Sequence, residues 1–587
     1  MAPAPHGPDT PVPGTVVPQD VRALDVDGCQ RLAADVRAFL IDTVPKTGGH
    51  LGANLGTVEL TIALHRHFDS PQERIVFDTG HQAYTHKILT GRAARFGTLR
   101  ARHGLSGFPS RAESEHDTVE NSHASTGLAW ALGMVLGGAR RSVAIVGDGA
   151  LTGGVAFEAL HAIGDRRAPV TVVYNDNGRS YAPTPGRLTL GEPGSESGAD
   201  GCVSTAPGMF FTALGLAYIG PVDGHDFTAL DDAFGAAAAI RGPVVVHVRT
   251  RKGQGWQPAL RDGVKRLHDV SIPAGPTGRG WGSVFGDALC DLAARDGRIH
   301  AITAAMPDTL GLLGFRERFP DRYHDVGICE QLAVSLAAGL AVEGMRPVFA
   351  VVSTFLTRAV DQVLFDVALH GLPVTFVVDR AGVTGPDGPS HHGIFDVGLL
   401  RLVPGLRIFS PVTEDQLRSL LRDAVARESG PVVIRYPKGG PSATLPVVRA
   451  TPAATLCRRG TDVCLLAHGS TVTTALRAAE LLDHQHHLSV SVWQATQIHP
   501  CPDDILADSA RYKVVATVEE LIAGSGLAAG IYPFLMQRPQ QAPRVVEIAL
   551  PPRFLPWGSR EEILAEFGPG VDEVVRRVTN AMEAVGR

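Results

Sequence analysis

The sequence has few cysteines for its length, and their spacing is not typical of a metal site. Seven cysteines are spread over 587 residues, with no pair separated by two residues. An odd number of scattered cysteines in a large chain is typical of free thiols in a reducing compartment. We therefore expect a cytoplasmic protein.

An excess of charge and long apolar runs are also missing. The formal net charge is -6 and charged residues make up 19% of the chain, so nothing favours nucleic acid or an anionic membrane as partner. The most apolar region, residues 332–356, is interrupted by Glu343, Arg346 and Pro347. It predicts a buried helix followed by a strand and no membrane span. The first 20 residues are Pro-rich, without a basic start or an apolar stretch, which predicts a disordered tail and no signal peptide.

Short β-branched runs alternate with longer helical patterns, which predicts an α/β fold with mainly parallel sheets flanked by helices. A chain of this length needs more than one hydrophobic core. The patterns form three sets, which predict domains at 21–275, 276–445 and 450–587 after a tail at 1–20. A helix is predicted at 151–163. The predicted strands are 142–146, 170–174, 244–248, 299–303, 348–352, 374–378, 432–435, 463–466, 490–493, 514–518 and 545–548.

One further segment is too long to be a passive connection. Residues 178–208 are rich in Gly, Ser and Pro and poor in large apolar side chains. Long segments of this kind are often functional lids. We expect a mobile lid beside the site.

Two polar motifs follow neighbouring predicted strands. Gly147, Asp148 and Gly149 follow the first strand, and Asn177 follows the second. Parallel strands present their carboxyl ends at one edge of a sheet, where ligands bind. Carboxylate and amide oxygens at that edge suit Mg²⁺, and the glycines allow a phosphate to approach the backbone. Gly-Asp-Gly alone would more often be a structural turn, but the strand–helix–strand order up to Asn177 favours a metal site.

The same motifs resemble those of a known family. They lie in GDGALTGGVAFEAL (147–160), and further matching segments are GGHLGANLGTVELT (48–61), DTGHQAYTHKILTGR (78–92), YIGPVDGHD (218–226), FPDRYHDVGICEQ (319–331), STFLTRAVDQV (353–363), DRAGVTGPDGPSHHGIFD (379–396) and IRYPKGG (434–440). The chain resembles the transketolase superfamily of thiamine-diphosphate enzymes and, within it, the 1-deoxy-D-xylulose-5-phosphate synthase family. The resemblance spans residue 30 to the C-terminus.

The resemblance implies a fold, an activity and cofactors. It implies a diphosphate-binding domain, a pyrimidine-binding domain and a transketolase-type C-terminal domain, in a homodimer. The implied reaction condenses pyruvate with D-glyceraldehyde 3-phosphate, with loss of CO₂, and uses thiamine diphosphate and Mg²⁺. The implied partners are therefore small molecules, a 2-oxo acid and a phosphorylated aldehyde.

The resemblance also implies the roles of individual residues. Glu330 would hydrogen-bond a pyrimidine nitrogen of the cofactor and Phe355 would stack on that ring; without this context, a helix cap and a core side chain are the simpler interpretations. The implied metal ligands are Asp148, Asn177 and the carbonyl of Arg179. The implied cofactor-binding residues are His81, Ser122, His123, Ala124, Gly149, Ala150, Asn177, Trp256, Glu330 and Phe355. The implied catalytic residues are Glu330, His50, His268 and His391, and the substrate residues are His50, Arg358, Arg380, Asp387, His391 and Lys438.

The chain departs from the family pattern at several positions, mostly on the acceptor side. Tyr181 stands where the family typically has Ile, and Lys438 replaces an Arg, keeping the charge but not the planar fork. Further departures are Ala124, Arg179, Leu260, Leu332, Val352 and the short segment 178–208. Two alternatives therefore remain open at this point: a related carboligase with another aldehyde acceptor or 2-oxo acid donor, and a catalytically silent paralogue that acts as a binding partner.

Overall fold

The chain folds into two compact units in a computed structural model that describes residues 16–120, 122–190, 206–270, 279–537 and 542–586. The first unit contains the described residues up to 270 together with 327–329. The second unit contains the remaining described residues.

The first unit is built on one five-stranded parallel sheet in the order β1-β2-β3-β5-β4. Its strands are β1 (Arg74–Phe77), β2 (Ser142–Gly147), β3 (Val170–Asp176), β4 (Ala217–Asp223) and β5 (Val244–Arg249). Its helices are α1 (Pro18–Ala23), α2 (Val26–Thr47), α3 (Leu51–Leu55), α4 (Val58–His67), α5 (Tyr84–Lys87), α6 (Gly127–Leu136), α7 (Asp148–Leu151), α8 (Gly154–Asp165), α9 (Ala206–Ala213), α10 (Phe227–Ala239) and α11 (Gln257–Arg261).

Both faces of this sheet are covered, which explains why its central strands are largely apolar. Alternate residues of β2 enter different apolar clusters: Val143 packs with residues of α2, α4 and α10, and Ala144 packs with residues of α6, α8 and α9. The alternation follows from the period of two along a strand. The sheet is thus a rigid central layer whose carboxyl edge can carry a site.

The second unit contains two sheets. Its strands are β6 (Ile299–Thr303), β7 (Tyr323–Asp325), β8 (Arg346–Val352), β9 (Thr375–Asp379), β10 (Arg407–Phe409), β11 (Val432–Arg435), β12 (Arg449–Ala450), β13 (Ala454–Arg458), β14 (Val463–Ala467), β15 (Val490–Ala495), β16 (Gln497–His499), β17 (Val514–Ile522) and β18 (Arg544–Leu550). One sheet has the order β16-β10-β11-β9-β8-β6-β7, and the other has the order β12-β13-β15-β14-β17-β18. Most pairs are parallel; β16 with β10, β12 with β13 and β13 with β15 are antiparallel.

The helices of the second unit flank these sheets. They are α12 (Trp281–Ala293), α13 (Leu313–Arg318), α14 (Glu330–Val342), α15 (Ser353–Leu356), α16 (Val360–Gln362), α17 (Asp396–Leu400), α18 (Glu414–Val425), α19 (Thr471–His486), α20 (Asp503–Ser509), α21 (Leu527–Met536), α22 (Arg560–Phe567) and α23 (Val571–Val585). A π-helical turn at Val363–Ala368 follows α16.

One strand links the two sheets of this unit. β16 comes from the C-terminal part of the chain, yet it forms the edge of the sheet that contains β6–β11. A single apolar cluster also includes residues from both sheets, among them Phe349, Phe376 and Leu466. The two sheets therefore belong to one compact unit, and the domain boundary near residue 450 stays a prediction.

The sequence predictions of secondary structure are largely confirmed. Each predicted strand is present, and Ile299–Thr303 and Val432–Arg435 have the predicted bounds. The region 332–356 contains the end of α14 followed by β8, as predicted. The helix predicted at 151–163 is wrong in its start, because α7 ends at Leu151 and α8 begins only at Gly154.

The tail and lid predictions fall largely outside the described residues. Residues 1–15 and 191–205 are not described, so the lid prediction is not addressed there. The prediction that the chain is disordered up to residue 20 is wrong for residues 18–20, since α1 begins at Pro18 and buries Val21. Within the part of the chain that the structure describes, no helix has the length and apolar character needed to cross a bilayer.

A cluster of buried polar side chains, here called the Asp117 network, lies beside β1. Asp117 accepts hydrogen bonds from Arg92 at 2.6 and 2.9 Å and from His86 Nε2 at 3.0 Å, while His65 Nε2 donates to His86 Nδ1 at 2.9 Å. Glu113 pairs with both Lys87 and Arg92, and it completes the network together with Lys87. Burial alone would raise the pKa of Asp117, but the hydrogen bonds from His86 and Arg92 hold it below its usual range. The network ties α4 and α5 to the loop that follows them.

Candidate active site

The first unit carries a polar edge at the ends of β2 and β3. The strands are in parallel register, with Gly147 opposite Asn175. Asp148 follows β2 at the start of α7, and Asn177 follows β3. As predicted from the sequence, both residues leave the same edge of the sheet, at the carboxyl ends of neighbouring strands.

Asp148 is a buried carboxyl group with an unsatisfied oxygen. Its side chain is 3% exposed, and among the described residues Oδ2 has no hydrogen-bond partner. Burial, followed by the nearby charge of Asp176, raises the pKa of Asp148 to about 7. A buried carboxylate with one unsatisfied oxygen is costly unless a cation compensates it. The arrangement therefore fits a divalent cation held by oxygen ligands.

The neighbouring acid, Asp176, is already committed to hydrogen bonds. It accepts from Thr189 Oγ1, from the Leu190 N–H at 2.5 Å and from His247 Nε2 at 3.0 Å. These bonds hold the chain after β3 against the sheet. Asp176 therefore positions the segment that carries Asn177 and is not itself available as a metal ligand.

The two other predicted ligands belong to one turn after β3. Asn177 is half-buried, and its Oδ1 accepts from the Arg179 N–H at 3.3 Å. The Arg179 guanidinium donates to the carbonyl oxygen of Val264 at 2.6 Å. The Arg179 side chain thus turns to the 263–264 loop, which is compatible with a metal-ligand role for its backbone carbonyl only.

The predicted phosphate-binding turn packs tightly. A Cβ atom at Gly149 would lie 2.9 Å from Ser180 Cβ, so glycine permits the close approach of these two segments. Ser125 has a φ of 72° and donates to the carbonyl oxygen of Ala150 at 2.7 Å. This bond joins the Ser122–His123–Ala124 segment to the turn after β2. Ser122 and Ala124 are buried, and His123 is exposed.

Three of the predicted histidines come together. The ring centroids of His50 and His81 are 5.3 Å apart, those of His50 and His268 5.4 Å, and those of His81 and His268 4.9 Å. Burial, followed by the charge of Lys252, holds the pKa of His268 well below its usual value. His268 is therefore a neutral imidazole near neutral pH, able to donate at one nitrogen and accept at the other.

Two residues of this cluster, Lys252 and Tyr181, were not predicted from the sequence to belong to the site. Lys252 is 2% exposed, and its Nζ lies 2.5 Å from the Ser180 carbonyl oxygen and 2.5 Å from His268 Nδ1. The Tyr181 ring packs on the His268 ring with centroids 3.9 Å apart. The available signal for Lys252 was its place just beyond β5, the neighbour of β3 in the sheet.

Trp256 lies farther along the same loop. It is half-buried, precedes α11 and packs against the apolar cluster that includes α2 and α4. The structure thus shows a packing role for this predicted cofactor-binding residue, and a cofactor contact stays a prediction.

In the second unit, Glu330 is the first residue of α14 and is 3% exposed. Its Oε2 lies 3.4 Å from Arg358 Nε and, among the described residues, accepts no hydrogen bond. Burial raises the pKa of Glu330 above its usual value, and the Arg358 charge opposes the rise. A carboxyl group of this kind can hold a proton and present it to a ligand.

Phe355 and His391, predicted for cofactor and substrate, are neighbours. Their ring centroids are 5.6 Å apart, with ring planes at 74°. Thr354 Oγ1 donates to the Ser390 carbonyl oxygen at 3.0 Å, which fastens the His391 loop to α15.

The predicted substrate cations lie near two acids of the second unit. Arg358 lies beside Glu330. Arg380 follows β9 with a φ of 58°, and its N–H donates to Asp379 Oδ1 at 2.7 Å. Burial raises the pKa of Asp379 to about 6, against the charges of Arg380 and Lys438. Lys438 is exposed and Asp387 is half-buried in the loop before His391.

Comparisons with known proteins cover nearly the whole chain. The 1-deoxy-D-xylulose-5-phosphate synthase family pattern matches residues 14–191 and 195–250, the transketolase pyrimidine binding domain matches 278–441, and the transketolase C-terminal domain matches 453–574. A 1-deoxy-D-xylulose-5-phosphate synthase from Mycobacteroides abscessus is 44% identical over 97% of each chain. A 1-deoxy-D-xylulose-5-phosphate synthase 2 from Streptomyces avermitilis is 44% identical over 96% of this chain and 95% of its own.

A solved transketolase from Leishmania mexicana is 18% identical, with a TM-score of 0.45 over 95% of this chain and 98% of its own, a likeness too weak to add to the sequence comparisons. The three matched regions account for the three-domain α/β fold with its mainly parallel sheets. Since relatives at 44% identity match over nearly their full length, the chain belongs to the 1-deoxy-D-xylulose-5-phosphate synthase family of transketolase-type transferases, which depend on thiamine diphosphate and Mg²⁺.

Proposed function

We propose that the residues of these two clusters carry out the family's reaction, the decarboxylative condensation of pyruvate with D-glyceraldehyde 3-phosphate to 1-deoxy-D-xylulose 5-phosphate. The observation that carries the assignment is the buried, unsatisfied carboxyl oxygen of Asp148 at the shared edge of β2 and β3. It supports catalysis over a silent paralogue, because an inactive binding partner has no need for a costly buried carboxylate.

The first unit supplies the groups that would hold the metal and the diphosphate. Asp148, Asn177 and the carbonyl of Arg179 would bind Mg²⁺, whose preferred ligands are oxygens. The remaining groups proposed to contact the cofactor here are His81, Ser122, His123, Ala124, Gly149, Ala150 and Trp256. When bound, thiamine diphosphate supplies a nucleophilic carbon and an electron sink for the loss of CO₂.

The second unit supplies the groups for the pyrimidine ring. Glu330 would hold a proton at a ring nitrogen, which suits its burial and its raised pKa. Phe355 would pack on the ring face. Arg358 would limit how far the pKa of Glu330 rises, because it lies 3.4 Å from Oε2.

The histidines and cations would serve the substrates. His50, His268 and His391 are proposed to hold and move protons at substrate oxygens, a common role for imidazole near neutral pH. Arg380 and Lys438, with Asp387 and Arg358, are proposed to line the site for the phosphorylated aldehyde. Positive groups suit a phosphate, and Arg can grip it with two hydrogen bonds.

The proposal is tested by incubating the protein with pyruvate, D-glyceraldehyde 3-phosphate, thiamine diphosphate and Mg²⁺. We expect 1-deoxy-D-xylulose 5-phosphate and CO₂, and a loss of kcat of about 10²–10⁴ in Glu330→Gln, the range for proton-transfer groups. A panel of non-phosphorylated aldehydes and other 2-oxo acids is run in parallel. Preference for one of those substrates would replace the present assignment, and equal inactivity of wild type and variant would refute it.

We also propose that the protein is a homodimer. Exposed apolar side chains occur in both units: Trp130, Leu136, Phe157 and Met209 in the first, and Leu332, Val342, Phe365 and Leu369 in the second. These four side chains of the second unit lie on α14 and on or just after the Val363–Ala368 turn, which are joined by a hydrogen bond from Ser335 Oγ to Asp366 at 2.6 Å. An exposed patch formed by neighbouring apolar side chains often marks an interface with a partner.

The domain boundaries near 275 and 450 and the cytoplasmic location are likewise proposals. The family matches, which break between 250 and 278 and between 441 and 453, support the boundaries. Six free cysteines among the described residues support a reducing compartment.

A further inference from the structure

The contacts of His268 single out a lysine that the family roles above do not include. Lys252 Nζ lies 2.5 Å from His268 Nδ1, and both side chains are buried. A lysine ammonium has only hydrogens to donate, whereas a neutral imidazole nitrogen without hydrogen accepts. In the ammonium form of Lys252, therefore, Lys252 donates and His268 Nδ1 accepts.

This donor fixes the tautomer of His268. With Nδ1 used as an acceptor, the ring hydrogen of the neutral imidazole must be on Nε2. The Tyr181 ring packs on the imidazole with centroids 3.9 Å apart, and the His81 ring packs on it at 4.9 Å. These contacts hold the ring plane, so Nε2–H keeps one direction.

We propose that Lys252 is a positioning residue that acts through His268 in the synthase reaction, fixing the Nε2–H tautomer and replacing the proton that Nε2 gives to a substrate oxygen. The inference rests on the proposed function of His268. In the step, the Nε2–H bond breaks and an O–H bond forms on the substrate alkoxide, while a proton moves from Lys252 Nζ to Nδ1. One ammonium and one alkoxide become a neutral amine and a hydroxyl group, so charge balances and the imidazole stays neutral throughout.

The surroundings of Lys252 suit a proton that can leave. Burial, followed by the charge of Arg179, lowers the pKa of Lys252 to about 7, with Asp148, Asp269 and Asp262 acting in the opposite direction. The charges that act on His268 come from Lys252, His81, His50 and Lys265. The Ser180 carbonyl oxygen, 2.5 Å from Nζ, keeps the amine aimed at His268 when the proton has moved.

The tautomer is tested without any turnover. In cofactor-free protein labelled with ¹⁵N-histidine, the long-range ¹H–¹⁵N spectrum should show His268 as the Nε2–H tautomer, assigned by its absence in His268→Gln. In Lys252→Met, which cannot donate, the His268 signals should shift toward the other tautomer. A wild-type Nδ1–H tautomer, or unchanged signals in Lys252→Met, would overturn the proposal even if the enzyme is active.

The proton supply is tested by kinetics. Lys252→Arg keeps a positive donor but cannot release a proton near neutral pH. We expect its kcat to fall about 100-fold or more, with the pyruvate KM and the calorimetric Kd for thiamine diphosphate within threefold of wild type. Ethylammonium should restore activity to Lys252→Ala, and the restored rate should follow the pKa of the added amine.

Lys265→Gln is the matched control, because the Lys265 ammonium pairs with Asp269 at 3.0 Å and only the backbone carbonyl of Lys265, which the substitution keeps, accepts from the His268 N–H. It should keep wild-type kcat. Circular dichroism and cofactor binding identify variants that fail to fold. If Lys252→Met or Lys252→Ala fails to fold, the kinetic test with Lys252→Arg takes its place. Full activity in Lys252→Arg, or no response to amines in a folded Lys252→Ala, would refute the proton-supply role. An inactive wild type would refute the proposed function and leave the tautomer result to decide the contact between Lys252 and His268.

Discussion

At the scale of single residues, the molecule is marked by buried acids whose pKa lies above the usual range. Asp148 and Glu330 each begin a helix and Asp379 is the last residue of β9, and burial is the main cause of each pKa shift. Such groups weaken the folded state unless a ligand compensates them. Their presence at a strand end or a helix start marks the places where the protein gives up stability for binding.

The loss of folding stability caused by such a buried acid can be measured at Asp148. Asp148→Asn removes a buried charge that Asp176 repels, so we expect the cofactor-free variant to melt at a higher temperature than wild type, a gain of about 1–3 kcal/mol. The same change should weaken Mg²⁺-dependent binding of thiamine diphosphate at least about 100-fold, since a neutral amide is a poorer ligand for a hard cation. Differential scanning calorimetry and titration calorimetry check the two effects. A variant that both melts lower and binds normally would contradict the role of Asp148.

Asp379 gives a prediction about pH. Its pKa is raised from 3.8 to about 6 in the folded state, so the folded protein holds this proton to higher pH than the unfolded chain does. Stability attributable to the group therefore falls as the pH rises from about 4 to about 6, by up to about 3 kcal/mol. Asp379→Asn cannot lose the proton, so its melting temperature relative to wild type should rise across this interval. Parallel melting curves with pH would rule out the raised pKa.

The strand pattern predicted residues at strand ends and the family resemblance named His268, Glu330 and Arg358, but the contacts that these residues make between loops were not predicted. Asp148 and Asn177 follow directly from the strand pattern. The Lys252–His268 contact joins two irregular segments, and the Arg358–Glu330 pair joins a turn to a helix start. No periodic pattern encodes such contacts, because they depend on how the loops pack.

At the scale of elements, the strands were predictable because they are short β-branched runs buried on both faces. The helix after β2 was not, because the apolar spacing continues across a break. The chain forms α7, then the turn at Thr152 and Gly153, and then α8 with Gly153 as its N-cap. The reason is tertiary: Gly153 packs against Ser125, whose hydroxyl is hydrogen-bonded to Ala150.

Neighbouring glycines provide a matched test of this break. A Cβ atom at Gly153 would lie 2.2 Å from Ser125 Oγ, whereas a Cβ atom at Gly154 would meet nothing within 4 Å. Gly153→Ala should therefore destabilise the protein by about 1–3 kcal/mol and weaken thiamine-diphosphate binding, because the Ser122–Ser125 segment must shift. Gly154→Ala should be neutral or stabilise by up to about 1 kcal/mol. Thermal melts measure the stability of both variants. Equal effects of the two substitutions would argue against the packing explanation.

At the scale of the whole molecule, the sequence patterns predicted three domains, and the sheets of the last two pack into one compact unit. Strand β16 crosses into the other sheet, and Leu466 and Phe376 belong to a common apolar cluster. A three-residue edge strand has too little periodicity to be assigned to a distant sheet from the sequence alone.

The proposed homodimer is tested with surface variants. Phe365 is 58% exposed beside α14, and Phe365→Asp should shift the mass measured by light scattering from dimer toward monomer, because a charge would be buried at the interface. Val447 is 61% exposed in an irregular segment, and Val447→Asp serves as the control that should remain dimeric. A monomeric wild type would end the proposal.

The Asp117 network bears on how this part of the chain can be exchanged. Its members are contributed by α4, by α5 and by the loop up to residue 117, and each depends on the others for a partner. If one member is replaced by the corresponding residue of a relative, a buried charged side chain loses its partner. If all members are replaced together, every hydrogen bond and ion pair is kept. Chimaeras between relatives should therefore express well only when residues 65–117 are transplanted as a single cassette, and gene shuffling should show few surviving crossovers inside it.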